Sequence, residues 1–78
     1  MNESAERERL GLQDGDKIRD LRKSAGYATA TAFARQLGIK PNSLINIERG
    51  NKAASLAMLL RIAQELDRSV DELLKEAA

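Results

Sequence analysis

Phe33-Ala34-Arg35-Gln36-Leu37-Gly38-Ile39-Lys40-Pro41-Asn42-Ser43-Leu44-Ile45-Asn46-Ile47 carries small, flexible and apolar residues at the offsets of a helix, a tight turn and a second helix. Two short helices that cross steeply must nearly touch, and a residue as small as Ala34 permits that approach. Gly38 accepts the positive φ that a turn just past a helix end requires. Leu37 and Ile39 anchor the turn on either side. Leu44 and Ile47, three apart, mark the inner face of the following helix. An ordinary helical hairpin would not need all of these in one register, so the segment reads as a helix-turn-helix.

Outward from this segment the chain reads as helix throughout. A polar arm of mixed charge spans 1–10 and is expected to be flexible, with the folded domain over 11–78. The first helix is expected over about 12–24, with Ile18 and Leu21 inside, Gly26 closing it and Gly15 costing it some propensity. The second should begin between Thr29 and Thr31, where a hydroxyl can cap, and end at Leu37. Pro41 suits the first turn of the third, which should run to Arg49 and stop at Gly50. Ser55 is the expected cap of a fourth helix with Leu56, Leu59, Leu60, Ala63 and Leu66 inside. Ser69 and Glu72 have the spacing of a capping box and open a short fifth. The fold class is therefore all-α, a compact five-helix domain.

Composition narrows the function. With no Cys and no His in 78 residues, the chain has no disulfide framework, no thiol chemistry and none of the usual zinc ligands. No Gly-rich phosphate loop or convergent carboxylate pair points to catalysis, so an enzyme is not expected and no metal or cofactor is called for. The lack of an apolar run or a signal-like start points to a cytoplasmic protein. The net charge is only +1, but it is unevenly spread. Over 27–55, Arg35, Lys40, Arg49 and Lys52 face Glu48 alone, a local +3, whereas 56–78 sums to −2. The basic part coincides with the helix-turn-helix, and local sign governs attraction to a polyanion.

The ordered pieces Lys17-Ile18-Arg19-Asp20-Leu21-Arg22-Lys23, Phe33 to Ile39, Ile47-Glu48-Arg49-Gly50, Leu59-Leu60-Arg61-Ile62-Ala63 and Val70-Asp71-Glu72-Leu73-Leu74 resemble the lambda-repressor-like family, also called Cro/C1 or Xre type. The resemblance covers roughly residues 16–74. It implies a five-helix domain that binds duplex DNA, usually as a two-fold homodimer. Three positions depart from the family pattern. Ala30 stands where a phosphate-touching Gln is usual, with a neighbouring Thr hydroxyl as the available substitute. The loop 27–29 is one residue longer, and Ala54 replaces a common Pro.

On the third helix, Leu44, Ile47 and Glu48 point one way, and Asn42, Ile45, Asn46 and Arg49 roughly the other. An Asn amide can bond bidentately to the N6 and N7 edge of adenine, so Asn42 and Asn46 are candidate base readers, the alternative being simple solvent exposure. Ile45 suits a thymine methyl or sideways packing on the domain. The resemblance places phosphate contacts at Lys40, Ser43, Arg49, Asn51 and Lys52, which would position the domain without reading sequence. Thr29 and Thr31 sit at a helix amino end whose backbone donors also favour phosphate. Arg35 fits a phosphate contact or a solvated charge equally. The resemblance further implies that Glu48 pairs with Arg22 in a buried bridge, and that dimerisation uses the fourth and fifth helices, around Ala57, Met58, Arg61 and 66–69.

These features point to a sequence-specific regulator, most simply a small bacterial or phage repressor reading a near-palindromic operator with helix 41–49. The competing reading is an antitoxin or adaptor that uses the same fold to hold a protein partner, through the acidic last helix and the first arm.

Overall fold

The computed structural model describes residues 12–75, so the expected arm 1–10 lies outside the described residues. Four α-helices follow one another: α1 (Gly15–Ser24), α2 (Ala30–Leu37), α3 (Pro41–Arg49) and α4 (Leu56–Leu66), then a single 3-10 turn, Val70–Leu73. Three of the four α-helices start on a side-chain cap. Asp14 Oδ1 accepts from the Lys17 amide at 3.1 Å, Thr29 Oγ1 from Ala32 at 3.1 Å, and Ser55 Oγ from Met58 at 3.1 Å. Pro41 opens α3, with its ring in the first turn and no amide proton to satisfy. Gly38 and Gly50 close α2 and α3 in the left-handed region, at φ 74° and 79°.

The helices wrap one core of Ile18, Phe33, Ala34, Leu37, Leu44, Ile47, Leu59, Ile62, Ala63, Leu66 and Leu73. Phe33 and Ala34 supply the second helix of the turn motif with one large and one small buried residue, and Tyr27 lies against the Phe33 ring at 4.8 Å. The Tyr27 hydroxyl donates to Glu65 at 3.3 Å, and partial burial followed by that carboxylate pushes the phenol up from its ordinary pKa.

Three sequence expectations change. Helix α1 begins at Gly15 rather than 12, because residues 12–14 pair instead with the end of the domain: Gln13 and Leu74 form an isolated antiparallel bridge. The Asp14 amide donates to the Leu73 carbonyl at 2.7 Å, and the Lys75 amide to the Leu12 carbonyl at 2.8 Å. The expected fifth helix is reduced to the four-residue 3-10 turn, since that same bridge holds Leu74 extended and leaves no room to propagate. Its capping box does form, with the Ser69 amide donating to Glu72 at 3.0 Å. That bond and Arg68 hold the Glu72 carboxyl below its ordinary pKa, against a smaller opposing effect of burial. Finally, Leu56 and Leu60 are not inside α4 but 66% and 46% exposed, while Ile62 takes the core position. Helix α4 packs with Leu59, Ile62, Ala63 and Leu66, a stripe at helical spacing that leaves Leu60 on its flank, while Leu56, in register with Ala63, is exposed at the first residue of the helix.

Candidate nucleic-acid interface

The geometry of α3 follows from what holds its inner face. Leu44 and Ile47 are buried in the core, and Glu48 beside them is paired. Arg22 on α1 grips Glu48 with two bonds, Nε to Oε2 at 2.8 Å and Nη2 to Oε1 at 3.3 Å. Its remaining nitrogen Nη1 donates to the Tyr27 carbonyl at 2.7 Å. One guanidinium thus ties α1, the loop before α2 and α3 together. Both side chains are sequestered, at 4% and 6% exposure, so the carboxylate is neutralised within the fold.

Gly15 fixes a second contact between α1 and α3. It is the first residue of α1 and is buried, and a Cβ built on it would overlap the Glu48 carbonyl oxygen and carbon. The sequence marked Gly15 as a propensity cost inside a helix. In place, it is a point of backbone approach between the amino end of α1 and the carboxyl end of α3, where unlike partial charges meet.

With that face locked, α3 presents Asn42, Ile45, Asn46 and Arg49 outward at the i, i+3, i+4, i+7 spacing of one helical stripe. Asn42 and Arg49 are exposed, and Ile45 and Asn46 half-buried. Ile45 lines a shallow groove of about 320 Å³ with Asp16, Arg19, Glu48 and Arg49, so one side of it rests toward α1 while the rest faces out. The groove carries Asp16 and Arg19 into the neighbourhood of the stripe, a pair that spacing along α3 could not reveal.

The cationic residues lie at both ends of the same helix. Lys40 precedes Pro41 and is exposed. At the far end the Gly50 turn sends the Asn51 amide back to the Asn46 carbonyl at 2.9 Å, which presents Arg49, Asn51 and Lys52 together on the surface. Ser43 is half-buried and lines a second groove of about 210 Å³ with Ile39, Ile47, Lys52 and Met58, toward the loop rather than the Asn stripe. Thr29 and Thr31 are both exposed at the start of α2; the Thr29 hydroxyl is occupied by the Ala32 amide. Arg61 donates through Nη2 to the Leu37 carbonyl and so braces the turn motif from α4. Gln13, which the sequence reading passed over, is buried beneath the loop after α3.

A family profile described as Helix-turn-helix matches residues 18–73, from within α1 to the end of the 3-10 turn. The chain belongs to the Cro/C1-type helix-turn-helix family. Membership places it among DNA-binding transcriptional regulators. Among relatives, it is 46% identical over 59 residues to the uncharacterized HTH-type transcriptional regulator YazB of Bacillus subtilis, covering 76% of this chain and 84% of that protein. It is 35% identical over 68 residues to the putative HTH-type transcriptional regulatory protein TK0539 of Thermococcus kodakarensis, covering 83% of this chain but 21% of the relative. No solved structure matches the chain significantly. Among the described residues, no helix is long and apolar enough to cross a membrane, and no cluster of potential metal ligands occurs.

Proposed function

We propose that the chain is a sequence-specific reader of double-stranded DNA, acting as a small repressor, with α3 seated in the major groove. The observation that carries this is the outward stripe Asn42, Ile45, Asn46 and Arg49 on a helix whose opposite face is immobilised by the core and by the Arg22–Glu48 pair. Asn42 and Asn46 read adenine edges, and Ile45 meets a thymine methyl across its exposed side. Lys40, Ser43, Arg49, Asn51 and Lys52 hold phosphates at the two ends of α3, with Thr29 and Thr31 adding the amino end of α2.

Two copies pair through α4 and the turn after it, placing two recognition helices about 34 Å apart on one face of the duplex and calling for a near-palindromic operator. Leu56 and Leu60, exposed on α4 beside Ala57, give this surface its apolar content. Arg61 serves it less, since its guanidinium is engaged with Leu37.

The division between base and phosphate contacts is testable by substitution. Asn46→Ala should lower discrimination at one or two base positions by roughly 1–3 kcal/mol while leaving the salt dependence of binding unchanged. Lys52→Ala should weaken binding to all sequences and reduce the slope of log K against log salt by about 0.9. Binding isotherms on matched and mismatched duplexes at several salt concentrations read both. If Asn46→Ala left the preferred sequence intact, α3 would not be reading bases through this side chain.

A further inference from the structure

Gln13 lies before α1, yet it is only 2% exposed. Its three side-chain hydrogen bonds all run to the end of α3 and the loop after it. Nε2 donates to the Ile47 carbonyl in the last turn of α3 at 3.3 Å and to the Lys52 carbonyl at 2.6 Å. Oε1 accepts from the Ala54 amide at 3.3 Å. A carboxamide offers two donors and an acceptor on a neutral group, which is what two carbonyls and an amide require.

The loop it meets is held otherwise by the packing of Ala54 against the core. Among the described residues, the hydrogen bonds that tie 52–54 to the rest of the domain are those of Gln13. Gln13 itself is delivered from a fixed backbone, because the Asp14 and Lys75 amides pair across the bridge on either side of it. The contact with Ile47 adds the end of α3 to the same clamp. Lys52, whose carbonyl is held, is exposed and lines the groove that also takes in Ser43 and Ile39.

We propose that Gln13 is a positioning residue for DNA binding: its amide sets the loop after the recognition helix so that Lys52 reaches a phosphate. This rests on the DNA-reading function proposed above. Gln13 touches no DNA in this arrangement, and it acts through the Lys52 and Ala54 backbone.

The test is a double-substitution cycle in the full chain with Gln13→Met, which keeps the length and loses the polar atoms, and Lys52→Ala. The probe is a mixed-sequence duplex about three helical turns long, titrated by fluorescence anisotropy from about 50 to about 200 mM salt. In the unmutated background Lys52→Ala should cost about eightfold at 0.1 M salt and about 0.9 in slope, the signature of one released counterion. Gln13→Met alone should produce nearly the same loss, and Lys52→Ala added to it should cost less than about twofold, since the contact is already gone. Circular dichroism at the assay temperature fixes the folded fraction. Should Gln13→Met melt too low, Gln13→Asn, one methylene short of spanning both sides, replaces it in the same cycle. A merely structural role would lower the folded fraction without touching the slope, and fully additive losses from the two substitutions would overturn the proposal. Failure of the unmutated protein to bind the duplex at about 50 mM salt would remove the DNA reading itself, and this inference with it.

Discussion

Replacing Glu48 with Ala should destabilise the domain by about 3–5 kcal/mol, because it strands the Arg22 guanidinium in a site where that side chain is 4% exposed. For a domain of this size each kcal/mol shifts the midpoint by roughly 4–8 °C, so thermal unfolding should fall by at least about 12 °C. Arg22→Lys should recover only part of the loss when compared with Arg22→Ala. A lysine ammonium cannot give two parallel bonds to Glu48 and a third to the Tyr27 carbonyl at the same time. Replacing both partners with apolar residues, Arg22→Met with Glu48→Leu, should cost less than either single truncation, since no charge is left unpaired. Thermal melts of the four proteins check the whole set. A drop of under about 5 °C for Glu48→Ala would mean that the pair is solvated rather than buried.

Gly15→Ala should also destabilise, although helix propensity alone argues the opposite. Alanine is favoured over glycine in a helix by about 1 kcal/mol. Here the new methyl would overlap the Glu48 carbonyl, a backbone group on the last turn of α3 that cannot rotate away. Relief requires α1 to move off α3, and overpacking of this kind costs roughly 1–3 kcal/mol or more. The net effect should be a loss, larger for Gly15→Val, measured by denaturant midpoint at constant slope. Because α1 carries Arg22, the shift should also loosen the grip on Glu48, so Gly15→Ala and Glu48→Ala should combine to less than the sum of their separate effects. A gain of stability from Gly15→Ala would show that α1 and α3 do not approach as closely as described.

Much of this architecture is legible in the letters, and what is not has definable causes. Thr29, Ser55, Pro41, Gly38 and Gly50 act within a few residues of themselves, so their roles in starting and stopping helices follow from local chemistry. The inner stripe of α3 follows from periodicity. Leu56 and Leu60 are not legible in this way, because an apolar side chain at the edge or the first turn of a helix need not be buried. Leu59, Ala63 and Leu66 are core as their spacing implies, and only packing decides that Ile62 completes the stripe while Leu60 on its flank and Leu56 at the first residue of α4 stay exposed.

Gln13, Gly15 and the bridge to Leu74 were hidden for a different reason. Their partners are 33 to 61 residues away in sequence, and a polar Gln or a helical Gly has no local signature that announces a distant carbonyl. The only hint was the composition of the first helix, where a glycine with a cost needed a benefit elsewhere. The candidate site divides the same way: the stripe Asn42, Ile45, Asn46 and Arg49 is periodic and readable, whereas the flanking Asp16 and Arg19 enter by tertiary packing.

The central claim, that α3 reads base sequence in duplex DNA as one half of a symmetric pair, is tested most directly by selecting duplexes from a randomised pool with the purified protein. At about 0.15 M salt, nonspecific phosphate binding is weak enough for base contacts to decide the outcome. The predicted result is enrichment of a near-palindrome with A·T-rich positions under Asn42 and Asn46 and half-sites about one helical turn apart. A pool that stays random through successive rounds, while the protein is folded, would contradict it.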